Sequence, residues 1–258
     1  MIIIGEKLNS SIPSAKAAFE KGGDALLNLI QSQAEGGADY LDINTAMISD
    51  KERELLIDTA KKVLVNTDKG IMLDSADMSI IRDALLAVKG RDVIINSISL
   101  TKDTSPLTRL DLSSVGVVAM PTDDDGIPDT AAKRLLNIRT LVNRLLQLGF
   151  KEENIYADIL IETLAVNQQA ALTALDTLKL VKAEIPEIKS ICGASNISYG
   201  LPKRKNINTA FLSLAIYNGV DAIITDILNP DIRSAILATE LLLGQDEYCM
   251  NYIDAMRE

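Results

Sequence analysis

Gly70-Ile71-Met72-Leu73-Asp74-Ser75 and its near-copy Asp92-Val93-Ile94-Ile95-Asn96-Ser97 each close an apolar run with one polar residue. A strand buried on both faces reads as a continuous apolar run, and parallel α/β proteins build their sites at the C-terminal tips of such strands. The pattern recurs at Ile155-Tyr156-Ala157-Asp158 and around Asn196 in Ser190-Ile191-Cys192-Gly193-Ala194-Ser195-Asn196. An unpaired Asp buried at such a tip costs several kcal/mol, on the order of 2–7. One Asp or Asn alone also suits a strand-end turn or helix cap. Four of them at the tips of apolar runs describe a polar floor awaiting a ligand.

Working outward, short apolar runs alternate with amphipathic stretches. Strands are predicted at 2–5, 40–44, 71–74, 93–96, 115–120, 155–158, 190–192 and 222–225. Helices are predicted at 24–36, 51–65, 80–88, 105–112, 131–148, 168–184, 207–218 and 232–243, with 105–112 carrying the faintest helical pattern. Gly36-Gly37-Ala38-Asp39 reads as a helix-to-strand stop, and Gly219-Val220-Asp221-Ala222 repeats it before the eighth strand. Eight strand–helix pairs imply a parallel sheet, and eight closes a (β/α)8 TIM barrel filling residues 1–258 as one domain. A doubly wound open sheet is the rival, but no early strand-to-helix joint carries Gly-x-Gly-x-x-Gly.

Composition removes several chemistries. The net charge is −10 with no basic stripe, which argues against nucleic acid. The chain has no histidine, so His-based acid–base catalysis, Ser-His-Asp triads and His-ligated zinc are excluded. Cys192 and Cys249 are far apart and read as reduced thiols. Ile2-Ile3-Ile4 is too short for a signal segment, and no run reaches the length of a membrane span. A soluble, cytoplasmic protein is expected. The Asp123-Asp124-Asp125-Gly126 turn lacks the closing glutamate of a calcium loop, and no metal site is expected.

The tip residues come in an order that resembles the methyltetrahydrofolate:corrinoid protein methyltransferases. These belong to the pterin-binding barrels, together with dihydropteroate synthase and the folate module of cobalamin-dependent methionine synthase. The resemblance is carried by Ile-Gly-Glu-Lys-Leu-Asn at 4–9, Gly-Gly-Ala-Asp-Tyr-Leu-Asp-Ile-Asn at 36–44, Leu-Asp-Ser at 73–75 and Ile-Asn-Ser at 95–97. It continues through Asp-Gly-Ile-Pro at 125–128, Tyr-Ala-Asp at 156–158 and Gly-Ala-Ser-Asn-Ile-Ser at 193–198.

The resemblance implies that Asp74, Asn96 and Asp158 clamp the pterin, with Gly193, Ser195, Tyr199 and Arg204 completing the binding set. It implies that Asn196 is catalytic beside N5, and that Glu6, Asn9, Asp42 and Asn44 support the site from behind. Methyltetrahydrofolate or tetrahydrofolate would be the substrate, and the corrinoid (cobalamin) would ride on a partner protein docked over the barrel mouth. A homodimer is implied as well. Tyr199, Lys203, Arg204 and Lys205 would form a cationic rim, although three basic residues in a row also suit a solvated helix start.

The sequence departs from that family at Tyr199, where glutamine is expected, and at Ile159, where proline usually follows the aspartate. Its 122–126 turn is also more acidic. The methionine synthases join this barrel to homocysteine and cobalamin modules, whereas these 258 residues read as the barrel alone.

Two alternatives stand beside this reading. A dihydropteroate synthase would carry Ser-x-Arg-Pro-Gly after the second strand and a basic end with histidine. Here that loop is Asn44-Thr45-Ala46-Met47-Ile48-Ser49 and histidine is absent. A non-catalytic folate-binding scaffold for a corrinoid protein is opposed only by Asn196, which a pure binder does not need.

Overall fold

The computed structural model describes residues 1–257. Among them, eight parallel strands close into a barrel in sequence order: β1 (Ile2–Asn9), β2 (Tyr40–Asn44), β3 (Gly70–Asp74), β4 (Val93–Ile98), β5 (Gly116–Ala119), β6 (Ile155–Asp158), β7 (Lys189–Gly193) and β8 (Ala222–Thr225). Pairing of Ile2 with Ala222 and of Gly5 with Thr225 closes the circle. The helical shell comprises α1 (Pro13–Lys21), α2 (Gly23–Glu35), α3 (Glu52–Asn66), α4 (Met78–Ala87), α5 (Ala131–Gln147), α6 (Ala170–Glu184), α7 (Arg204–Tyr217), α8 (Pro230–Leu242) and α9 (Met250–Met256). Among the described residues no helix is long and apolar enough to cross a membrane.

The pleat of the strands explains the architecture. Leu41, Ile43, Ile71, Leu73, Ile95, Val117 and Ala119 face outward and pack under the helices. Ile4, Met72, Ile94, Val118, Tyr156, Ile191 and Ala222 face inward and plug the barrel, with Tyr40 and Ile224 against them. Successive side chains alternate faces, so the inward position next above the plug lies two residues on. That step leads from Ile4 to Glu6, Tyr40 to Asp42, Met72 to Asp74, Ile94 to Asn96, Tyr156 to Asp158, Ile191 to Gly193, and Ile224 to Asp226. The plug is apolar; the layer above it is polar apart from Gly193 and Met120, the latter two residues past Val118.

Three expectations need correction. The 105–112 segment forms only a single 3-10 turn, Ser105–Leu107. Asp103 takes the Ser105 N–H and Asp111 takes the Ser113 N–H, so these short acids offer the backbone local turns in place of a helix. The shell also contains α1, which the periodicity did not reveal, and α9 beyond the eighth repeat.

The first strand runs to Asn9 rather than Gly5, through an irregularity between Gly5 and Leu8. The carboxamide of the buried Gln33 accepts the Lys7 N–H there at 2.8 Å. A side chain at position 5 would place its Cβ 2.6 Å from that same oxygen, so glycine is required for the approach. The irregularity carries Glu6 and Lys7 into the mouth.

Candidate active site

The tips of β1 to β4 stand in one register row. Asn9 pairs with Asn44, Asn44 with Asp74, and Asp74 with Asn96. Within the row the side chains are interlocked. Asn44 Nδ2 donates to Asp74 Oδ2 at 2.8 Å, and Asn96 Nδ2 donates weakly to Asp42 Oδ1 at 3.4 Å. Asn9 instead accepts the Ser11 N–H at 2.9 Å, which makes it a strand-end turn residue.

Asp42 is buried, and burial followed by the neighbouring Asp74 charge pushes its carboxyl well above the ordinary range. Burial pushes Asp74 up to about 6, opposed by the Asn44 hydrogen bond and by Lys102. Two carboxylates this deep resist holding two charges together, and a ligand bringing hydrogen-bond donors relieves that repulsion.

Across the barrel, Asp158 accepts the Leu160 N–H at 2.8 Å, while burial raises it to about 6 against that bond and the charge of Arg134. On β1, Glu6 accepts from Ser195 Oγ at 2.9 Å, closing the floor between residues 189 positions apart. Burial, the largest influence, raises Glu6; Ser195 opposes it and Asp226 reinforces it. Asp226, just past β8, pairs with Lys7 at 2.6 Å and keeps its Oδ1 buried with no partner among the described residues. The sequence reading missed Asp226 and Lys7. The signal was present in Ile223-Ile224-Thr225-Asp226, an apolar run with a polar tip like the other four.

The seventh tip has a different character. A 3-10 turn, Ala194–Ser198, follows Gly193 and sets Asn196 in the open with its carboxamide unbonded among the described residues. A Cβ on Gly193 would lie 3.1 Å from Asn196 Nδ2, so the glycine leaves that amide its place. Tyr199 is 69% exposed, and the Arg204 guanidinium lies 5.8 Å from its ring centroid. Arg204 is fixed by Ser198 Oγ at 3.0 Å and the Ser195 carbonyl at 2.8 Å.

Asp74, Asn96, Asp158, Gly193, Ser195, Asn196, Tyr199 and Arg204 thus share the C-terminal end of the barrel, with Glu6, Asp42 and Asn44 packed among them. The cationic rim is narrower than expected. Lys205 turns outward to Asp231 on α8 at 3.0 Å, and Lys203 is the left-handed residue that starts α7. The acidic turn is tied inward, with Asp123 accepting from Asn137 at 2.9 Å and pairing with Lys133 at 3.0 Å.

A separate surface cleft is lined by Gln31, Glu35, Asn66, Thr67, Asp68 and Lys69, among others. It lies at the opposite end, where α2 and α3 finish and β3 begins. It holds none of the convergent polar groups of the mouth.

The profile of the family described as "Pterin binding enzyme" matches residues 8–226. The chain belongs to the pterin binding enzyme family. This pterin binding enzyme is 31% identical over its whole length, and over 97% of the relative, to the methylcorrinoid:tetrahydrofolate methyltransferase of Eubacterium limosum. It is 25% identical over 87% of its length to the methionine synthase of Mycobacterium tuberculosis, of which it covers 20%. Solved dihydropteroate synthases share its fold. That of Yersinia pestis has a TM-score of 0.71 at 17% identity, with 94% of each chain covered. That of Thermus thermophilus has a TM-score of 0.71 at 18% identity, with 93% of this chain and 94% of the other covered. At such identities the likeness concerns the barrel and not its chemistry.

Proposed function

We propose that this enzyme moves a methyl group between N5 of tetrahydrofolate and the cobalt of a corrinoid carried by a partner protein. The observation that carries the reading is the free carboxamide of Asn196 above a floor of Asp74, Asn96 and Asp158. That arrangement occurs in a chain related end to end to a methylcorrinoid:tetrahydrofolate methyltransferase.

A reduced pterin presents ring N–H and exocyclic amino donors along one edge and a carbonyl beside them. Asp74 and Asp158 accept the donors as carboxylates, while Asn96 can both donate and accept. The ring then lies with N5 toward the seventh tip. In the direction of the relative's name, the N5 lone pair attacks the methyl carbon. The N5–C bond forms, the Co–C bond breaks with both electrons left on cobalt as Co(I), and N5 releases its proton. In reverse, Co(I) attacks the methyl and N5 takes a proton as it leaves.

Asn196 does not titrate, so its part is a fixed dipole hydrogen-bonded to N5 as charge develops there. The exposed position of Asn196 lets solvent supply or remove the proton. The corrinoid is a substrate brought by its carrier, which fits a mouth open to the surface. Tyr199 and Arg204 stand where the remainder of the folate leaves the barrel.

The test is anaerobic mixing of the protein with methyltetrahydrofolate and cob(I)alamin, followed by the Co(I) absorbance. Protein-dependent formation of methylcobalamin is expected. Absence of both turnover and tetrahydrofolate binding overturns the reading, and tight binding with no turnover on any corrinoid protein leaves the scaffold alternative in its place.

A further inference from the structure

Arg134, one turn into α5, is fully buried, and no part of the chemistry above uses it. Its guanidinium is committed in four directions. Nε donates to the Pro128 carbonyl at 2.9 Å, and Nη1 donates to the Ile159 and Leu160 carbonyls at 3.1 and 2.6 Å. Nη2 donates to Glu162 Oε2 at 2.8 Å. Glu162 is steadied in turn by Asn167 at 3.2 Å.

The segment held this way begins directly after Asp158. Its residue Leu160 has φ 53°, in the left-handed region that L side chains rarely adopt. In that conformation Leu160 aims its carbonyl at Arg134 and its N–H at the Asp158 carboxylate. Ile159 N–H meanwhile donates to the Ile191 carbonyl at 3.1 Å, a ladder bond that proline could not make. Farther along, Leu164 N–H donates to the Ile197 carbonyl at 3.0 Å and Thr163 Oγ1 to the Tyr199 carbonyl at 2.5 Å. The first of those acceptors lies within the turn that carries Asn196, and the second directly follows it.

We infer that Arg134 is a positioning residue: its buried guanidinium fixes the strap from Ile159 to Leu164 and so holds both the Asp158 carboxylate and the Asn196 turn in place for the pterin. The inference rests on the reading of Asp158 as a pterin ligand. A planar fork with five donors can hold three carbonyls and a carboxylate at once; a lysine ammonium, a compact point charge, cannot. Glycine adopts positive φ without strain, so Leu160→Gly relaxes the need for the clamp while keeping the N–H that Asp158 accepts.

The experiment measures tetrahydrofolate affinity by anaerobic calorimetry, together with melting temperature, for the wild type, Asp158→Ala, Arg134→Lys, and Arg134→Lys with Leu160→Gly. Arg134→Lys is expected to lose affinity on the order of tenfold, as when the partner that orients a liganding side chain is removed. The double variant is expected to regain most of that affinity while melting no higher than Arg134→Lys, because glycine also removes the buried leucine side chain.

Affinity that follows melting temperature, with no recovery in the double variant, makes Arg134 merely structural and overturns the inference. So does wild-type affinity in Arg134→Lys. Should Arg134→Lys fail to fold, Glu162→Gln loosens the same clamp and is expected to shift affinity in the same direction by a smaller factor; unchanged affinity there overturns the inference. Asp158→Ala reports on the underlying reading separately. If it binds as tightly as the wild type, the pterin clamp itself is wrong, whatever Arg134 does.

Discussion

The mouth of this barrel has two unlike sides. From β2 to β4 the polar tips bond one another: Asn44 holds Asp74, Asn96 reaches Asp42, and burial raises both carboxyls. At β7 Ser195 reaches inward to Glu6, whereas Asn196 is exposed and unbonded among the described residues and Tyr199 lies exposed beneath Arg204. The first side is organised before any ligand arrives, which favours recognition because little ordering remains to be done on binding. On the proposed reading, the second keeps its hydrogen-bonding capacity for groups whose charge changes during reaction. On that reading, the difference teaches that the locked tips of β2 to β4 serve affinity while the free carboxamide at β7 serves rate.

The sharpest way to break that comparison is Asn196→Ala. If the seventh tip serves the reaction, methyl transfer falls on the order of a hundredfold, as when one preorganised donor is removed from a developing charge. Tetrahydrofolate affinity should change far less. Stopped-flow rates beside calorimetric affinities decide it, and equal losses in both would make Asn196 a binding residue.

Next in size is Asp158→Asn, at the tip of β6 beside the seventh strand. It should weaken tetrahydrofolate binding by about 1.5–3 kcal/mol, the scale of a charge-assisted hydrogen bond. It should also stabilise the empty protein. Burial raises Asp158 from 3.8 to about 6, so the folded state favours the protonated carboxyl. Its contribution is fully present below the ordinary carboxylate range and is lost as pH rises through about 6. At pH 8 the variant should be more stable by about 1–3 kcal/mol, and near pH 4 the gain should vanish. Melting curves at the two pH values test this. A variant that is less stable at pH 8 refutes the desolvation argument.

Smallest is Tyr199→Gln. The ring is exposed and lies 5.8 Å from the Arg204 guanidinium, so its loss should alter the Michaelis constant for methyltetrahydrofolate by a few-fold, about 0.5–1 kcal/mol, with the maximal rate unchanged. A large drop in rate would move Tyr199 to the reacting side of the comparison.

Much of this could be read before the fold was known, and the parts that could not have physical reasons. Asp74 was legible because it ends an apolar run within its own strand. Asp226 ends a comparable run and was passed over, since Thr225 softens the apolar signal beside it. The 105–112 stretch has apolar residues at helical spacing, yet Asp103 and Asp111 divert its backbone into turns. Gly5 reads as an ordinary strand end; that the Gln33 carboxamide lies where a side chain would go depends on α2 packing behind β1. Arg134 reads as one more cation on an amphipathic helix, and its burial depends on carbonyls about 25 residues downstream.

By itself the sequence determined the eightfold alternation, the polar tips and the exclusion of histidine chemistry, because each follows from composition or from short-range periodicity along the chain. Only the tertiary structure decided the partnerships. The closing of β1 against β8 brings Lys7 to Asp226, and the neighbouring β7 tip brings Ser195 to Glu6. Asn44 meets Asp74 through the register of adjacent strands, and Arg134 meets the strap after β6. Those contacts depend on register and closure, which no local pattern encodes, and they set which carboxylates are buried, which are paired, and which amide is left free.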